Sequence, residues 1–382
     1  MSTHRQVLHA WTAQLHALLP AARVTRVRGL GVFSVGMARA GTVRVNRVAR
    51  VLPLGVRVLS TERRLRRFLA NPQVTVPALW QPLLPHLLAR WAAREAVLVF
   101  DPTPFGATWT ILWVGIVVHR RVLPLTWRLV PQQAPWPETL DTLLPALLAP
   151  IAAALPPECR VTLLGDRGVA GPTLIDAAQA LGWDVVMRLN VGASQSHRVR
   201  LHAGEQRGGT DAMPGGEQPL WDVVGTAPSG WSAAAQIFKG VGWRTGFLTV
   251  ARRPGLAEPW ILFSTRSGGR ARVREYAQRG RVDATFGDGK RRGWGLEQSH
   301  VRAAGHLDRL LLVWHLALWW LHALGRHVIK RGARTQFDRT DRRDLSVVHL
   351  AGLWLQACLE GGRCPPLLFR PTPTGWHARG TP

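Results

Sequence analysis

Apolar residues change their spacing near residue 93, and this change predicts where helices give way to strands. Before that point, apolar positions recur at helical intervals over residues 9–19 and 79–91. Three runs that are short and rich in β-branched residues come after it: 96–101, 107–118 and 121–130. We therefore expect a helical region over residues 1–93, followed by a three-stranded meander.

Helical and strand-like runs then alternate. Residues 138–155 and 172–181 have helical spacing, although Pro145 and Pro150 should kink or break the first of these helices. Residues 160–166 and 183–189 are short apolar runs typical of buried strands. A meander followed by alternating helices and strands fits an α/β fold, with the first part of a ribonuclease-H-like core over residues 94–189.

The second half of the chain changes character twice. Glycine is frequent over residues 190–270, and strand-like runs recur there at 220–224, 246–251 and 260–264, which predicts a β-rich insertion. Residues 301–329 form one long apolar pattern, which predicts a helix packed under the sheet. Residues 331–382 give no clear signal and form an unassigned C-terminal tail.

The charge of the chain indicates a polyanionic partner. The 382 residues include 49 Lys and Arg against 23 Asp and Glu, a formal net charge of +26. Such an excess favours nucleic acid as the partner. A coding bias toward arginine explains the shortage of lysine, but it leaves the shortage of acids unexplained. Hydrophobic residues make up 46% of the chain, which is typical of a globular protein rather than a disordered one.

One basic segment could supply contacts to DNA phosphates. Ser60 or Thr61 can cap a helix that Pro72 ends. Its apolar residues form one stripe, and four arginines fill the rest of its surface: Leu65, Phe68 and Leu69 in the stripe, with Arg63, Arg64, Arg66 and Arg67 around it. A helix that lies along DNA and an ordinary amphipathic helix with a solvated face both fit this pattern.

Cysteine usage and hydropathy indicate a reducing compartment. Cys159, Cys358 and Cys364 form neither a disulfide framework nor a zinc-binding pattern. The first residues lack the layout of a signal peptide. The most apolar run, residues 310–324, contains two histidines and is too short to span a membrane. We expect a cytoplasmic, nucleoid-associated protein that does not bind a membrane.

Candidate chemistry lies in two groups of residues. Asp101 and Asp166 each follow an apolar strand, where an aspartate is either a turn residue or a carboxylate held at a rigid edge. A second group combines a phenol, two cations and one acid at helical spacing: Tyr276, Arg279, Asp283 and Lys290. Such a group suits a bound metal and phosphate, although most charged runs are solvated helix faces.

The second group resembles the signature of the DDE transposases of insertion-sequence family four. That signature reads Tyr, two residues, Arg, three residues, Glu, six residues, Lys. Three positions match in type and spacing, and Asp283 stands in place of the Glu. Upstream, Asp101 with Thr103 resembles the family's Asp-x-Thr, and Asp166 with the following Arg and Gly resembles its Asp-Arg-Gly. The resemblance covers about residues 50–330.

The resemblance implies a DNA transposase. Residues 1–93 would be its helical DNA-binding region, and residues 271–330 would be the core helices that carry the signature. It would cleave double-stranded DNA at the ends of an element and transfer the 3′-hydroxyls into target DNA, as a homodimer that pairs the two ends. The resemblance implies a pair of Mg²⁺ ions, with Mn²⁺ as a substitute, and it assigns the residues as follows: Asp101, Asp166 and Asp283 as metal ligands; Tyr276, Arg279 and Lys290 as phosphate contacts.

Three points stay open at this stage. Trp260 resembles a family tryptophan that stacks on a flipped base, but the 18 tryptophans of the chain slightly favour a core tryptophan on a strand. Glu297 is an alternative third carboxylate, although reaching the site would need a helix that runs through several glycines. Two other functions also fit the sequence: a catalytically inactive, transposase-derived DNA-binding protein, which Asp283 favours, and another ribonuclease-H-like nuclease.

Overall fold

Helices occupy the N-terminal part of the chain, as the apolar spacing predicts. The computed structural model describes residues 2–190, 197–202, 216–252, 258–289 and 293–367. The first helices are α1 (Thr3–Leu18), α2 (Val24–Ala40), α3 (Val45–Val51), α4 (Val58–Ala70), α5 (Val76–Trp80) and α6 (Leu84–Leu88). The predicted pattern over residues 79–91 is split between α5, α6 and short 3-10 turns, because Pro82 and Pro85 have no backbone N–H to continue a helix.

Helix α4 buries the predicted apolar stripe. Leu65, Phe68 and Leu69 are buried, and the backbone N–H of Asn71 closes the last turn on Phe68. The predicted cap at Ser60 or Thr61 is wrong. The helix begins at Val58, before both of these residues, and Thr61 is buried inside it.

Three antiparallel strands and two parallel ones form the first half of a single sheet. The strands β1 (Glu95–Phe105), β2 (Trp109–Val118) and β3 (Arg121–Pro131) form the predicted meander. Helices α7 (Leu140–Ala154) and α8 (Pro172–Gln179) connect it to β4 (Arg160–Gly165) and β5 (Asp184–Arg188), which run parallel to β1. Helix α7 continues through both of its prolines. The order is β3-β2-β1-β4-β5.

The strands that follow extend the same sheet in antiparallel fashion. They are β6 (Arg198–Leu201), β7 (Glu217–Pro219), β8 (Ser232–Ile237), β9 (Arg244–Ala251) and β10 (Trp260–Ser264), in the order β5-β10-β9-β8-β6-β7. The strand predicted at residues 220–224 is wrong, because Leu220–Thr226 is a helix, α9. Leu220, Val223 and Val224 are buried at helical spacing, which a run this short did not reveal.

Four further helices complete the described chain: α10 (Arg270–Tyr276), α11 (Arg281–Gly289), α12 (Ala304–Lys330) and α13 (Val347–Glu360). Helix α12 is the buried helix predicted over residues 301–329, and it packs between the sheet and the N-terminal helices. On one side Trp319 Nε1 donates to Pro124 O at 2.7 Å, and on the other Trp320 stacks on Trp11 with ring centroids 4.6 Å apart.

Helix α13 lies in the tail that the sequence left unassigned. Ser346 caps it by accepting a hydrogen bond from the backbone N–H of His349. Over the described residues, no helix is both long enough and apolar enough to cross a bilayer. The division of the chain into domains at the predicted boundaries stays a prediction.

Candidate active site

Two of the predicted acids lie at the same level of the sheet, one within β1 and the other directly after β4. The parallel pairing of β1 with β4 ends at Phe100 and Gly165. Asp101 and Asp166 are the next residue on each chain segment, so the sheet register brings them together. The sequence suggested that the strand ends at Asp101. That prediction is wrong, because β1 continues along β2 as far as Phe105.

The backbone around Asp166 orients its carboxylate. One oxygen, Oδ1, accepts a hydrogen bond of 2.8 Å from the backbone N–H of Gly168. This Asx-type turn leaves the second oxygen, Oδ2, directed elsewhere. The Asp-Arg-Gly sequence therefore has a local structural role as well as its resemblance to a family motif.

A break between two helices brings Arg279 to these carboxylates. The sequence spacing placed residues 276–290 on one helix, but α10 ends at Tyr276 and α11 begins at Arg281. Residues 277–280 form a turn, in which Gly280 disfavours continuation of the helix. Because of this turn, Tyr276, Arg279 and Asp283 do not lie on one helix as their spacing suggested, and Arg279 lies in the connection.

The guanidinium of Arg279 is shared by the acids. Its Nη2 lies 2.5 Å from Asp101 Oδ1 and 2.7 Å from Asp166 Oδ2. Its Nη1 lies 3.7 Å from Asp283 Oδ2, on the first turn of α11. The three carboxylates named from the sequence therefore converge on one cation, from β1, the end of β4 and α11.

Burial and neighbouring charges shift the pKa of Asp101 and of Arg279. Burial raises the pKa of Asp101 from 3.8 to about 6, against the lowering effect of Arg279, and the charges of Asp166 and Asp283 raise it further. Burial alone would lower the pKa of Arg279, but the three carboxylates together raise it. The cluster carries more negative than positive charge when all its members are ionised.

Of the two candidates for the third acid, Asp283 contacts Arg279, whereas Glu297 lies in a different part of the fold. Glu297 belongs to a 3-10 turn, Leu296–Ser299, next to a segment held against the N-terminal helices. There Thr42 Oγ1 donates to Trp294 O at 3.1 Å, and Arg44 bonds to Gln298. Asp283 is highly exposed, with 71% of its side chain accessible, whereas Asp101 is nearly buried.

Of the remaining signature residues, Tyr276 lies at the end of α10, beside the cluster. The ring of Tyr276 is buried and packs edge-on against Trp260 at the start of β10, with centroids 5.1 Å apart and an interplanar angle of 82°. Burial raises the pKa of Tyr276 to about 12, so its phenol is neutral. The two roles open for Trp260, base stacking and core packing, both fit its half-buried position. Lys290 lies outside the described residues.

The four arginines of α4 form a basic face. Arg63, Arg66 and Arg67 are exposed, and Arg66 pairs with Glu62 at 2.8 Å. Arg64 is half-buried, and burial followed by the charges of Arg28 and Arg67 lowers its pKa. Contact of this face with DNA stays a prediction.

The cluster supplies carboxylate oxygens, but a cation of the protein itself lies between them. Over the described residues, no group of three or more His, Cys, Asp or Glu side chains is arranged to hold a metal ion. At the cluster the guanidinium of Arg279 stands between the carboxylates. Asp101 and Asp166 nevertheless direct oxygens at a single positive nitrogen, and carboxylate oxygens are the ligands that Mg²⁺ prefers. Binding of a divalent ion by these carboxylates stays a prediction, and it would require Arg279 to leave its position between them.

Comparison with known proteins finds a distant likeness in structure and no match in sequence. No family model matches the chain, and no curated protein matches it. The structure is similar to that of the piggyBac transposase in a cryo-EM structure of its synaptic complex with hairpin DNA. The two are 11% identical, the match covers 94% of this chain and 78% of that one, and the TM-score is 0.39.

Proposed function

We propose that this chain is a DNA transposase that cleaves at the ends of an insertion sequence and transfers the 3′-hydroxyls into target DNA. The observation that carries the proposal is the convergence of Asp101, Asp166 and Asp283 on Arg279. Acids from three separate segments meet at one point, in the order that the sequence resemblance requires. If Asp101 and Asp166 were only turn residues, and the segment with Asp283 only a solvated helix face, nothing would require these carboxylates to lie together.

The sheet supports a ribonuclease-H-like core with a β-rich insertion. Its first five strands have the order β3-β2-β1-β4-β5, with β2 antiparallel to β1, and β4 and β5 parallel to it. The acids lie at the point where β1 leaves β4 and continues along β2. Strands β6 to β10 would be the insertion between the second acid and the signature helices.

Asp101, Asp166 and Asp283 would hold a pair of Mg²⁺ ions, or Mn²⁺ in their place. Bound there, such ions supply an activated oxygen nucleophile and stabilise the leaving oxygen of a phosphodiester. The sheet fixes Asp101, and the turn at Gly168 orients Asp166. Arg279, once free of the carboxylates, would bind the phosphate being cut. The packed rings of Tyr276 and Trp260 would lie next to the bound DNA.

The partners of the proposed enzyme are double-stranded DNA and a second copy of the chain. The net charge of +26 supports the first of these, because it favours a polyanion. Pairing of two element ends by a homodimer follows from the resemblance of the sequence.

A strand-cleavage assay tests the proposal. The substrate is duplex DNA taken from the sequence that flanks this reading frame, with Mg²⁺ present. Asp101→Asn and Asp166→Asn should abolish cleavage while DNA binding is retained, because each removes one metal-binding charge. Asp222→Asn, at an exposed position on α9, is the matched control and should cleave normally. Full cleavage by either active-site variant would refute the assignment.

Two other outcomes identify the alternative functions. Binding of the same DNA without cleavage in Mg²⁺ or Mn²⁺ would indicate an inactive, transposase-derived DNA-binding protein. The high exposure of Asp283 and its distance of 3.7 Å from Arg279 are the observations that favour this alternative. Preferential cleavage of RNA–DNA hybrids would indicate a different ribonuclease-H-like nuclease.

A further inference from the structure

A basic cavity borders the α10–α11 connection, and the three carboxylates of the cluster are not among the residues that line it. Its volume is about 780 Å³, and its walls come from the β2–β3 turn, the α10–α11 connection, the end of α12 and the segment before α13. Gln278 and Arg281 line it, whereas Arg279 between them contacts the acids. Six arginines line the cavity: Arg120, Arg121, Arg281, Arg326, Arg334 and Arg343.

The acids of the cavity are already neutralised by arginines. The four acids and their partners are Asp288 with Arg121 at 2.9 Å, Glu275 with Arg266 at 2.8 Å, Asp344 with Arg342 at 2.6 Å, and Glu95 with Arg160 at 3.6 Å. Glu275 has a second partner, Arg272, one turn earlier on the same helix. Three of the four pairs use arginines outside the six that line the cavity, so the acids neutralise little of the cavity's own positive charge.

Four of the six lining arginines have no carboxylate partner within the described parts of the chain. Arg121 pairs with Asp288, and Arg334 pairs with Asp338 at 2.5 Å. The arginines without an acid are Arg120, Arg281, Arg326 and Arg343. Among the described residues, the side chain of Arg281 donates to neutral oxygens, those of His119 and the Gln278 amide.

Two of these unpaired guanidinium groups are half-buried. Burial lowers the pKa of Arg281, with a smaller effect from the charge of Arg120, and burial alone lowers the pKa of Arg326. His322, which stacks against the lining residue His119, is fully buried, and burial lowers its pKa to about 3, so it adds no charge of its own. A guanidinium stays protonated in a protein, so each of these cations is held at a cost in solvation free energy. An anion bound in the cavity would offset that cost.

We propose that this cavity binds phosphate groups of a nucleic acid strand, at a site separate from the carboxylate cluster. Guanidinium groups bind phosphate oxygens through two parallel hydrogen bonds, and a cavity of this size accommodates a small part of a strand. The inference rests on the proposed function in one respect, because it takes nucleic acid as the source of the phosphate. A strand held there would contact the same connection that positions Arg279.

The test measures binding of a duplex oligonucleotide and of a single strand by fluorescence anisotropy in EDTA, across a salt series. The cavity variant is Arg120→Gln with Arg326→Gln, because neither side chain makes a hydrogen bond or ion pair in the described structure. Its control is Arg274→Gln with Arg363→Gln, two exposed arginines outside the cavity with the same loss of charge. Thermal unfolding of both variants checks that they fold.

The cavity variant should lose on the order of tenfold or more in affinity and about two in the salt slope, because each lost phosphate contact removes roughly 0.9 from that slope. The control should change both values far less. Arg326→Lys keeps the charge and should keep most of the slope. If the double variant is unstable, Arg343→Gln in the exposed segment before α13 repeats the comparison.

Two results would overturn the inference. Equal losses in the cavity variant and the control would show that the cavity contributes only general charge. In the second result, inorganic phosphate stabilises the wild-type protein but not the cavity variant, and the two proteins bind DNA with the same affinity. This result would assign the cavity to a small anion. Because no cleavage is measured, failure here leaves the proposed transposase activity untouched, and failure of the cleavage assay leaves this test valid.

Discussion

Replacing Arg279 with glutamine should destabilise the metal-free protein, because it removes the only cation that the two inner carboxylates share in the described structure. Arg279 lies 2.5 Å from Asp101 and 2.7 Å from Asp166, and the Asp101 side chain is only 10% exposed. Removing one partner of a fully buried ion pair costs about 3–5 kcal/mol. Asp166 retains 31% exposure, so water screens part of its charge. We expect a loss of about 2–3 kcal/mol in the free energy of unfolding.

The size of this loss should depend on pH in a defined direction. The pKa of Asp101 is raised from 3.8 to about 6 in the folded protein. A carboxyl group with a raised pKa favours the fold below its unfolded pKa and loses that contribution as the pH rises through its folded pKa. Arg279 holds this pKa down, so its removal keeps Asp101 neutral to a higher pH. The destabilisation should therefore be smaller at about pH 5, where Asp101 is protonated in both proteins, than at about pH 7.5.

Divalent metal should reverse the effect. In the variant the carboxylates are free, so about 10 mM Mg²⁺ should raise its thermal midpoint more than that of the wild type, where the metal must first displace Arg279. The assay is thermal unfolding by circular dichroism, with and without Mg²⁺, supported by calorimetric titration of Mn²⁺. Neither measurement depends on cleavage of DNA.

Arg244→Gln is the matched control for this experiment. Arg244 makes a two-point ion pair with Asp176 at 2.6 and 2.7 Å, but that pair lies at the surface. Its loss should therefore cost less than about 1 kcal/mol and should not respond to Mg²⁺. Equal stability losses in the two variants, or the same Mg²⁺ response in the wild type and in Arg279→Gln, would refute the reasoning.

Three further predictions concern the third acid, the charge and the packing of α12. In a cleavage assay, Asp283→Ala should eliminate Mg²⁺-dependent cleavage, Asp283→Glu should keep or raise it, and Glu297→Ala should leave it intact. Loss of cleavage in Glu297→Ala with activity in Asp283→Ala would identify Glu297 as the ligand. Affinity for non-specific duplex DNA should fall by roughly 10³-fold or more between about 50 and 200 mM salt, and a flat titration would contradict the charge argument. Gly325→Ala should lower the free energy of unfolding by about 1–3 kcal/mol in a denaturant titration, because its new Cβ would lie within 3 Å of the Val347 backbone. The control is Gly352→Ala on α13, where a new Cβ meets open space, and it should be neutral or stabilising in the same titration.

The period of the apolar residues predicted the elements whose local pattern is strong. The strands β1 to β5 and the buried helix α12 were predicted within a few residues of their observed ends, and β10 was predicted with its observed bounds, Trp260–Ser264. These runs are long or bounded by clear breaks, so their own side chains determine which state is favoured. The pattern failed at α9, where an apolar run this short fits a strand and a helix equally well.

The sequence by itself named the three acids and the arginine, but not how they meet. Asp101 and Asp166 are neighbours only because the register of β1 on β4 ends at Phe100 and Gly165, a pairing between residues far apart in the chain. Arg279 reaches them only because the helix breaks between Tyr276 and Arg281.

The basic cavity was decided entirely by the tertiary structure. Its arginines come from the β2–β3 turn, α11, the end of α12 and the segment before α13, and none of these segments is distinctive on its own. Local spacing carries information about which face of a helix or strand is buried. Which cations are left without a carboxylate depends on contacts between elements, and these contacts form only when the sheet and helices have packed.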